Sequence, residues 1–170
     1  MIDFVCIFHK ITSLTLNLVR MKKMERKKII FIISLIIALL ISTGYLINKN
    51  KKDHYIEIQE KRIDLYFKYN LNNYHSMKIT SFKKTPMGGY IVDGYVNHNK
   101  NYDFKVLISA TDNHQFEDSI GYDDKTFGKL FKEKDHKNEL KSTDIIKKEH
   151  LDKSDYEADP PLFFFSGRLE

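Results

Sequence analysis

Between Ile29 and Ile47 the chain reads IIFIISLIIALLISTGYLI, 19 residues without a charge. As a helix rising about 1.5 Å per residue, this run covers roughly 28 Å, close to the hydrocarbon thickness of a bilayer. A core helix in a protein of 170 residues normally keeps one polar face, and this run has none. It predicts a single transmembrane helix over residues 29–47, with the lipid bilayer as its partner. The chain beyond this run is long enough for one small domain.

The flanks set the orientation. Arg20, Lys22, Lys23, Arg26, Lys27 and Lys28 precede the run, and Lys49, Lys51 and Lys52 come after it. The heavier positive flank, residues 21–28, is expected in the cytoplasm. That predicts a single pass through the plasma membrane, with the N-terminus inside and the C-terminal domain outside. Met21 to Lys28 also reads as the basic start of an export signal. Ser42-Thr43-Gly44 places small residues where a signal peptidase reads, but the apolar stretch continues through Tyr45, Leu46 and Ile47. The expectation is a retained signal anchor, with cleavage and release as the alternative. Residues 1–20 are mixed in character and too short to span. They read as a doubtful N-terminal extension ahead of a start at Met21 or Met24, the rival being a short peripheral helix.

The formal net charge of +5 divides unevenly. Residues 1–52 hold ten Lys/Arg against Asp3 and Glu25, whereas residues 53–170 hold 18 Lys/Arg against 21 Asp/Glu. The basic excess belongs to the anchor region. A nucleic-acid binder would carry it on the folded domain, so nucleic acid is not an expected partner.

Residues 53–150 read as an extracytoplasmic α+β domain. Asp53 is placed to cap a helix to about Tyr69, in which Ile56, Ile63, Tyr66 and Phe67 share one face of a 3.6-residue period. From Met77 the period becomes two, with Met77, Ile79 and Ser81 on one side and Lys78, Thr80 and Phe82 on the other. Thr85-Pro86-Met87-Gly88-Gly89 is a turn. Tyr90–Asn97 is a second strand, with either Ile91 and Tyr95 or Val92 and Val96 inward. After a turn at 98–101, Tyr102–Ser109 is a third strand, with Tyr102, Phe104, Val106 and Ile108 on one face. Gln115–Tyr122 is a candidate fourth. Asp124 is placed to cap a helix over Lys125–Lys134, and Ser142 or Thr143 a short helix through Ile145 and Ile146. The expected fold is a helix packed on a three- to four-stranded antiparallel meander, with one or two short C-terminal helices. Ile63 and Phe67 should pack against the face carrying Phe104 and Val106. Residues 151–170 read as an acidic and aromatic tail.

Catalytic chemistry finds little support in these residues. Cys6 is the only cysteine, so internal disulfides and cysteine metal sites are excluded. The seven histidines are scattered, mostly in turns, without metal-ligand spacing. Serine-nucleophile and phosphate-loop motifs are missing. Asp112, Glu117, Asp118, Asp123 and Asp124 lack the spacing of a calcium loop. No catalytic residue, cofactor or metal is expected. Residues 53–170 do contain nine Phe and nine Tyr. Most alternate into the core, and the surplus, Tyr69, Tyr74, Tyr90, Phe163, Phe164 and Phe165, forms a candidate partner-binding face, because aromatic side chains dominate interface hot spots.

Glu60 to Asn70, Lys83-Lys84-Thr85-Pro86-Met87-Gly88, Gly94-Tyr95-Val96-Asn97 and Phe127-Gly128-Lys129-Leu130-Phe131 together resemble the DUF1433 family of small exported, lipoprotein-like proteins of Gram-positive bacteria, over about residues 24–150. The resemblance implies an immunity or accessory role beside a secreted toxin and brings no catalytic residues. One departure matters. A lipoprotein carries a cysteine after the small-residue step, and here Tyr45 follows Gly44, so the thiol that would take the lipid is missing there. The expected function is a membrane-anchored, non-catalytic binding module with a secreted protein as partner. The alternatives are a passive surface protein or an envelope enzyme with an unrecognised site.

Overall fold

Helix α1 runs from Arg26 to Asn70 and contributes to both units of the chain, Met1–Tyr45 and Leu46–Glu170. The computed structural model describes residues 12–13, 26–133, 135, 138–162 and 167–168. In the first unit the apolar side chains of α1 face outward, with Ile30, Phe31 and Ile41 exposed by 66%, 69% and 68%. The hydroxyls of Ser34, Ser42 and Thr43 donate back to the carbonyls of Phe31 and Leu39, at 2.8, 2.9 and 2.9 Å. Each therefore has its acceptor within the helix, as an apolar solvent demands. Helix was expected to begin at Asp53, but Asp53 lies inside α1. Residues 48–52 contain neither Gly nor Pro, and nothing in them stops a helix.

The second unit is α+β, as expected. Strands β1 (Met77–Lys84), β2 (Tyr90–Val96), β3 (Asp103–Ile108), β4 (Ile120–Tyr122) and β5 (Gly167–Arg168) form one antiparallel sheet in the order β4-β3-β2-β1-β5. Helix α2 spans Ser142–Lys148. The apolar stripe of α1 covers one sheet face: Phe67 meets Phe104 with ring centroids 4.9 Å apart, and Tyr55 meets Tyr90 at 5.2 Å. Ile63, Tyr66, Phe67 and Val106 are fully buried.

Of the two phases open for β2, the structure takes the one that buries Tyr90, Val92 and Val96. Gly94 continues that face, and a Cβ there would fall 2.6 Å from the Phe104 ring. In β1 the register shifts between Ile79 and Ser81. The extra residue, Thr80, transfers Phe82 to the core side, where Phe82 is 1% exposed; an uninterrupted alternation had placed it outward. Gly88 has φ +86° in the β1–β2 turn, the left-handed conformation expected there. His98, His114 and His150 also have positive φ, each within a turn. The scattered histidines thus include three whose side chains tolerate left-handed backbone.

The later elements are shorter than their patterns suggest. Only Ile120–Tyr122 joins β3, because the backbone of Phe116 bonds to α1 instead: its N–H donates to Gln59 Oε1 at 2.9 Å and its carbonyl accepts from Arg62 Nε at 2.7 Å. The expected helix over Lys125–Lys134 is a 3₁₀ turn, Phe127–Leu130. The carbonyl of Leu130 and the N–H of Lys132 pair with Asn72 and Asn70 at the end of α1, which pulls the chain out of helix. Asp123, not Asp124, holds its start by accepting from the Lys125 N–H at 3.0 Å. Residues 151–162 are more than a tail: the carbonyls of Tyr156 and Ala158 accept from Arg62 and Gln115.

This core generates two predictions. Phe67→Ala should destabilise the domain by about 3–5 kcal/mol, read as a drop in urea midpoint. An unchanged midpoint would contradict the packing of Phe67 on Phe104 and Phe127. The second concerns alkali. Burial, foremost, raises the hydroxyls of Tyr55, Tyr66 and Tyr74 well above the ordinary phenol range, and pushes Tyr122 up to about 12. A raised value means that the folded state holds the proton more tightly. The stability these groups add is complete below the unfolded value of about 10 and is lost as pH rises above it. Ultraviolet titration should show Tyr55, Tyr66 and Tyr74 ionising only as helical circular dichroism collapses. Ionisation of these three with the helix intact would refute this.

Candidate functional site

A second face of α1 is polar and buried. Gln59, Arg62, Tyr66 and Asn70 recur at intervals of three, four and four residues, so they line one stripe of the helix. Gln59, Arg62 and Tyr66 are 0% exposed and Asn70 6%. Each takes hold of a segment that has no strand partner. Gln59 donates to Gln115 Oε1 at 2.7 Å. Tyr66 donates to Glu139. Asn70 and Leu140 exchange two bonds, at 2.9 and 3.0 Å.

Arg62 is the centre of the stripe. Its Nε donates to the Phe116 carbonyl at 2.7 Å and one terminal nitrogen to the Tyr156 carbonyl at 3.1 Å. The other donates to Glu117 Oε1 at 2.6 Å and to Thr143 Oγ1 at 2.8 Å. Glu157 lies 3.9 Å away. Glu117 also accepts from the Thr143 hydroxyl at 2.5 Å and the Thr143 N–H at 3.2 Å. That last bond, not a Ser142 or Thr143 side-chain cap, secures the start of α2. Burial pulls the Arg62 guanidinium below its ordinary value, while the charges of Glu117 and Glu157 oppose the shift.

Above this cluster opens a cleft of about 460 Å³, lined in part by Asp112, Glu117, Thr143, Lys147, Lys153 and Glu157. Glu117, less exposed than Glu157 across from it, already serves Arg62 and Thr143, and the fork of Arg62 is engaged by protein acceptors on every nitrogen. The arrangement is chemically a clamp. Among the described residues, no three of His, Cys, Asp and Glu gather closely enough to hold a metal ion.

The six aromatic residues proposed from the sequence do not form one surface. Tyr90 is 1% exposed, with its ring against Tyr55 and Phe82, so its place on a binding face is corrected to the core. Tyr74 is partly buried, its ring tilted against Phe67 and its hydroxyl donating to Asp64. Tyr69 is half-exposed, with Lys148 Nζ 5.7 Å from its ring centroid. A hydrogen bond to Glu149 raises its hydroxyl. Phe163, Phe164 and Phe165 lie outside the described residues. The sequence reading missed the polar stripe, although one signal was present. In a lysine-rich chain, Arg62 is the only arginine between residues 27 and 167, and arginine's planar fork suits buried, multidentate pairing where lysine does not.

Removing one partner of a buried ion pair typically costs about 3–5 kcal/mol. Arg62→Ala should lower stability by about that amount, and Arg62→Lys by a large part of it, because an ammonium cannot reach four acceptors in this fork. A chain ending at residue 150 should have a lower urea midpoint than one ending at 162, since it deletes the Tyr156 and Ala158 carbonyls. A wild-type midpoint for Arg62→Lys would show that the fork geometry is dispensable.

The model of the family described as "Protein of unknown function (DUF1433)" matches residues 55–148. The match begins at Tyr55, the first buried residue of α1, and ends at Lys148, the last of α2. Comparison with curated proteins and with solved structures gives no match.

Proposed function

The chain belongs to the DUF1433 family, and we propose that it acts as a membrane-anchored, non-catalytic binding module. In this reading residues 29–47 cross the plasma membrane, the basic flank at 21–28 stays in the cytoplasm, and the domain works outside on a secreted protein. An immunity or accessory role beside a secreted toxin is the form of that activity suggested by the resemblance to exported relatives. The observation that carries the reading is the apolar exterior of α1. Of residues 29–47, the side chains of Ile29, Ile30, Phe31, Ile33, Leu35, Ile37, Leu39, Leu40, Ile41, Tyr45, Leu46 and Ile47 are all exposed. A helix apolar on every side, with these side chains left exposed among the described residues, is suited to hydrocarbon.

The non-catalytic part rests on the use already made of the polar groups. The cleft's central carboxylate and the arginine beneath it are committed to one another and to Thr143. Of the proposed partner-binding side chains among the described residues, Tyr69 is the one that the core does not claim.

A reporter enzyme active only outside the cytoplasm, fused after Lys52 or at Glu170, should report activity at both points, and the chain should stay with membranes through an alkaline wash. Activity of a cytoplasm-specific reporter at both points would refute the orientation. Release by the wash would refute the anchor.

A further inference from the structure

The sheet is closed unequally at its two margins. In the order β4-β3-β2-β1-β5, one margin is β4, three residues long, and the other is β5, two residues long. Behind β5 stands β1, eight residues from Met77 to Lys84. On its inner side β1 is paired with β2 from Met77↔Val96 to Lys84↔Tyr90. On its outer side β5 meets two residues, in the pairs Ser81↔Arg168 and Phe82↔Gly167. Among the described residues no other strand lies on that margin.

β5 is poorly equipped to hold this place. Two residues are fewer than an ordinary strand has, so there is little ladder to share. Gly167 brings no side chain to a cross-strand pair, and glycine weakens a strand. The family match takes in β1, β2, β3, β4 and α2 and ends before β5. The long margin therefore belongs to the shared domain, and its short cover does not.

A long strand margin is a template for pairing with another chain. A second copy of β1 is a poor occupant. β1 carries Lys78, Lys83 and Lys84, all exposed, and no acid. The one acid on β2, Asp93, is shared by Lys83 and Lys105 at 3.8 Å each. Laying β1 antiparallel on another β1 sets lysine against lysine, and like charges across a ladder destabilise it. The bulge at Thr80 adds a second obstacle to indiscriminate pairing. What the margin does accept is shown by β5 itself: an extended segment, antiparallel, joined at Ser81 and Phe82. A segment that continues along β1 past these two residues makes pairs that β5 cannot. That gain opposes the advantage β5 has from attachment to the same chain. Main-chain bonds would supply the affinity, and the alternation of β1, with Ile79 and Phe82 buried and Lys78 and Lys83 exposed, would select a segment of matching period two.

We infer that β5 is a placeholder on the margin of β1, and that an extended, strand-forming segment of a protein partner displaces it and pairs antiparallel with β1. This gives the partner of the proposed binding module a place on the domain, and it rests on that reading.

The test uses the full chain with Cys6→Ser in mild detergent, with a thiol at Ser81→Cys in one variant and at Lys100→Cys, in the β2–β3 turn, in another. The probe is a synthetic peptide of residues 164–170 carrying Arg168→Cys, activated as a mixed disulfide, so that in the register of β5 its sulfur faces position 81. A second peptide carries Gly167→Pro as well, which removes a strand N–H and leaves the reactive group unchanged. Mass spectrometry follows the adducts, and circular dichroism confirms that each variant keeps its helix. The first peptide should join Cys at position 81 several-fold faster than the proline peptide, while the two react alike at position 100. Gly167→Pro in the chain itself, which weakens the pairing of β5, should raise the rate at position 81 several-fold further. Equal rates for the two peptides at position 81 overturn the strand seat. A preference that Gly167→Pro in the chain leaves unchanged overturns the role of β5 as its placeholder. Either failure leaves the binding-module reading standing, since a partner could be met on another face.

Discussion

A guanidinium removed from water needs acceptors for its N–H groups, and the requirement at Arg62 organises half of the domain. Its acceptors come from four places: Phe116, Glu117, Thr143 and Tyr156, which lie 54 to 94 residues further along the chain. None of these segments is held there by the main sheet ladder. Without Arg62 the carbonyls of Phe116 and Tyr156 would lose their donor, and the start of α2 would lose the carboxylate that Arg62 orients. With Arg62 in place, leaving any one acceptor unmade exposes a buried charge at a cost of several kcal/mol, in a domain whose whole stability is about 5–15 kcal/mol. The irregular segments are therefore specified as tightly as the strands, by hydrogen bonds to one side chain.

The same helix carries both halves of the core. One stripe, Ile56, Ile63 and Phe67, is apolar and meets the sheet; the next, Gln59, Arg62 and Asn70, is polar and meets the later, irregular segments. Tyr66 belongs to both, its ring edge-on to Phe116 and its hydroxyl on Glu139. This division explains which parts of the fold could be read from the sequence. The apolar stripe, β2 and β3 were legible because period and burial coincide there. Tyr90 was misplaced because it comes after two glycines in a turn, where an aromatic looks exposed, and only the phase of β2 reveals that it faces inward. The bulge at Thr80 reversed the side of Phe82 for a related reason: one extra residue shifts everything after it. The boundaries near residues 115 and 130 were not legible, because distant side chains and backbone of α1 take the hydrogen bonds that would have continued the elements. The polar stripe has a clear 3-4-4 spacing, but a surface stripe has the same spacing. Only the rarity of arginine in this chain set Arg62 apart.

The family match covers the domain from its first core residue to the end of α2 and stops short of the span. The clamp falls inside that match except for its last acceptor, the Tyr156 carbonyl. The domain and the apolar run are therefore separable in sequence while sharing one helix. Tyr55, the first fully buried residue, lies eight residues past Ile47, about 12 Å along α1. No glycine, proline or serine run intervenes to act as a flexible linker. Within the domain, the polar stripe and the apolar stripe adjoin on one helix, so the buried, fully paired arginine and the aromatic core are set by the same element. A change of register in α1 would displace both at once, because Arg62, Ile63, Tyr66 and Phe67 are all fully buried.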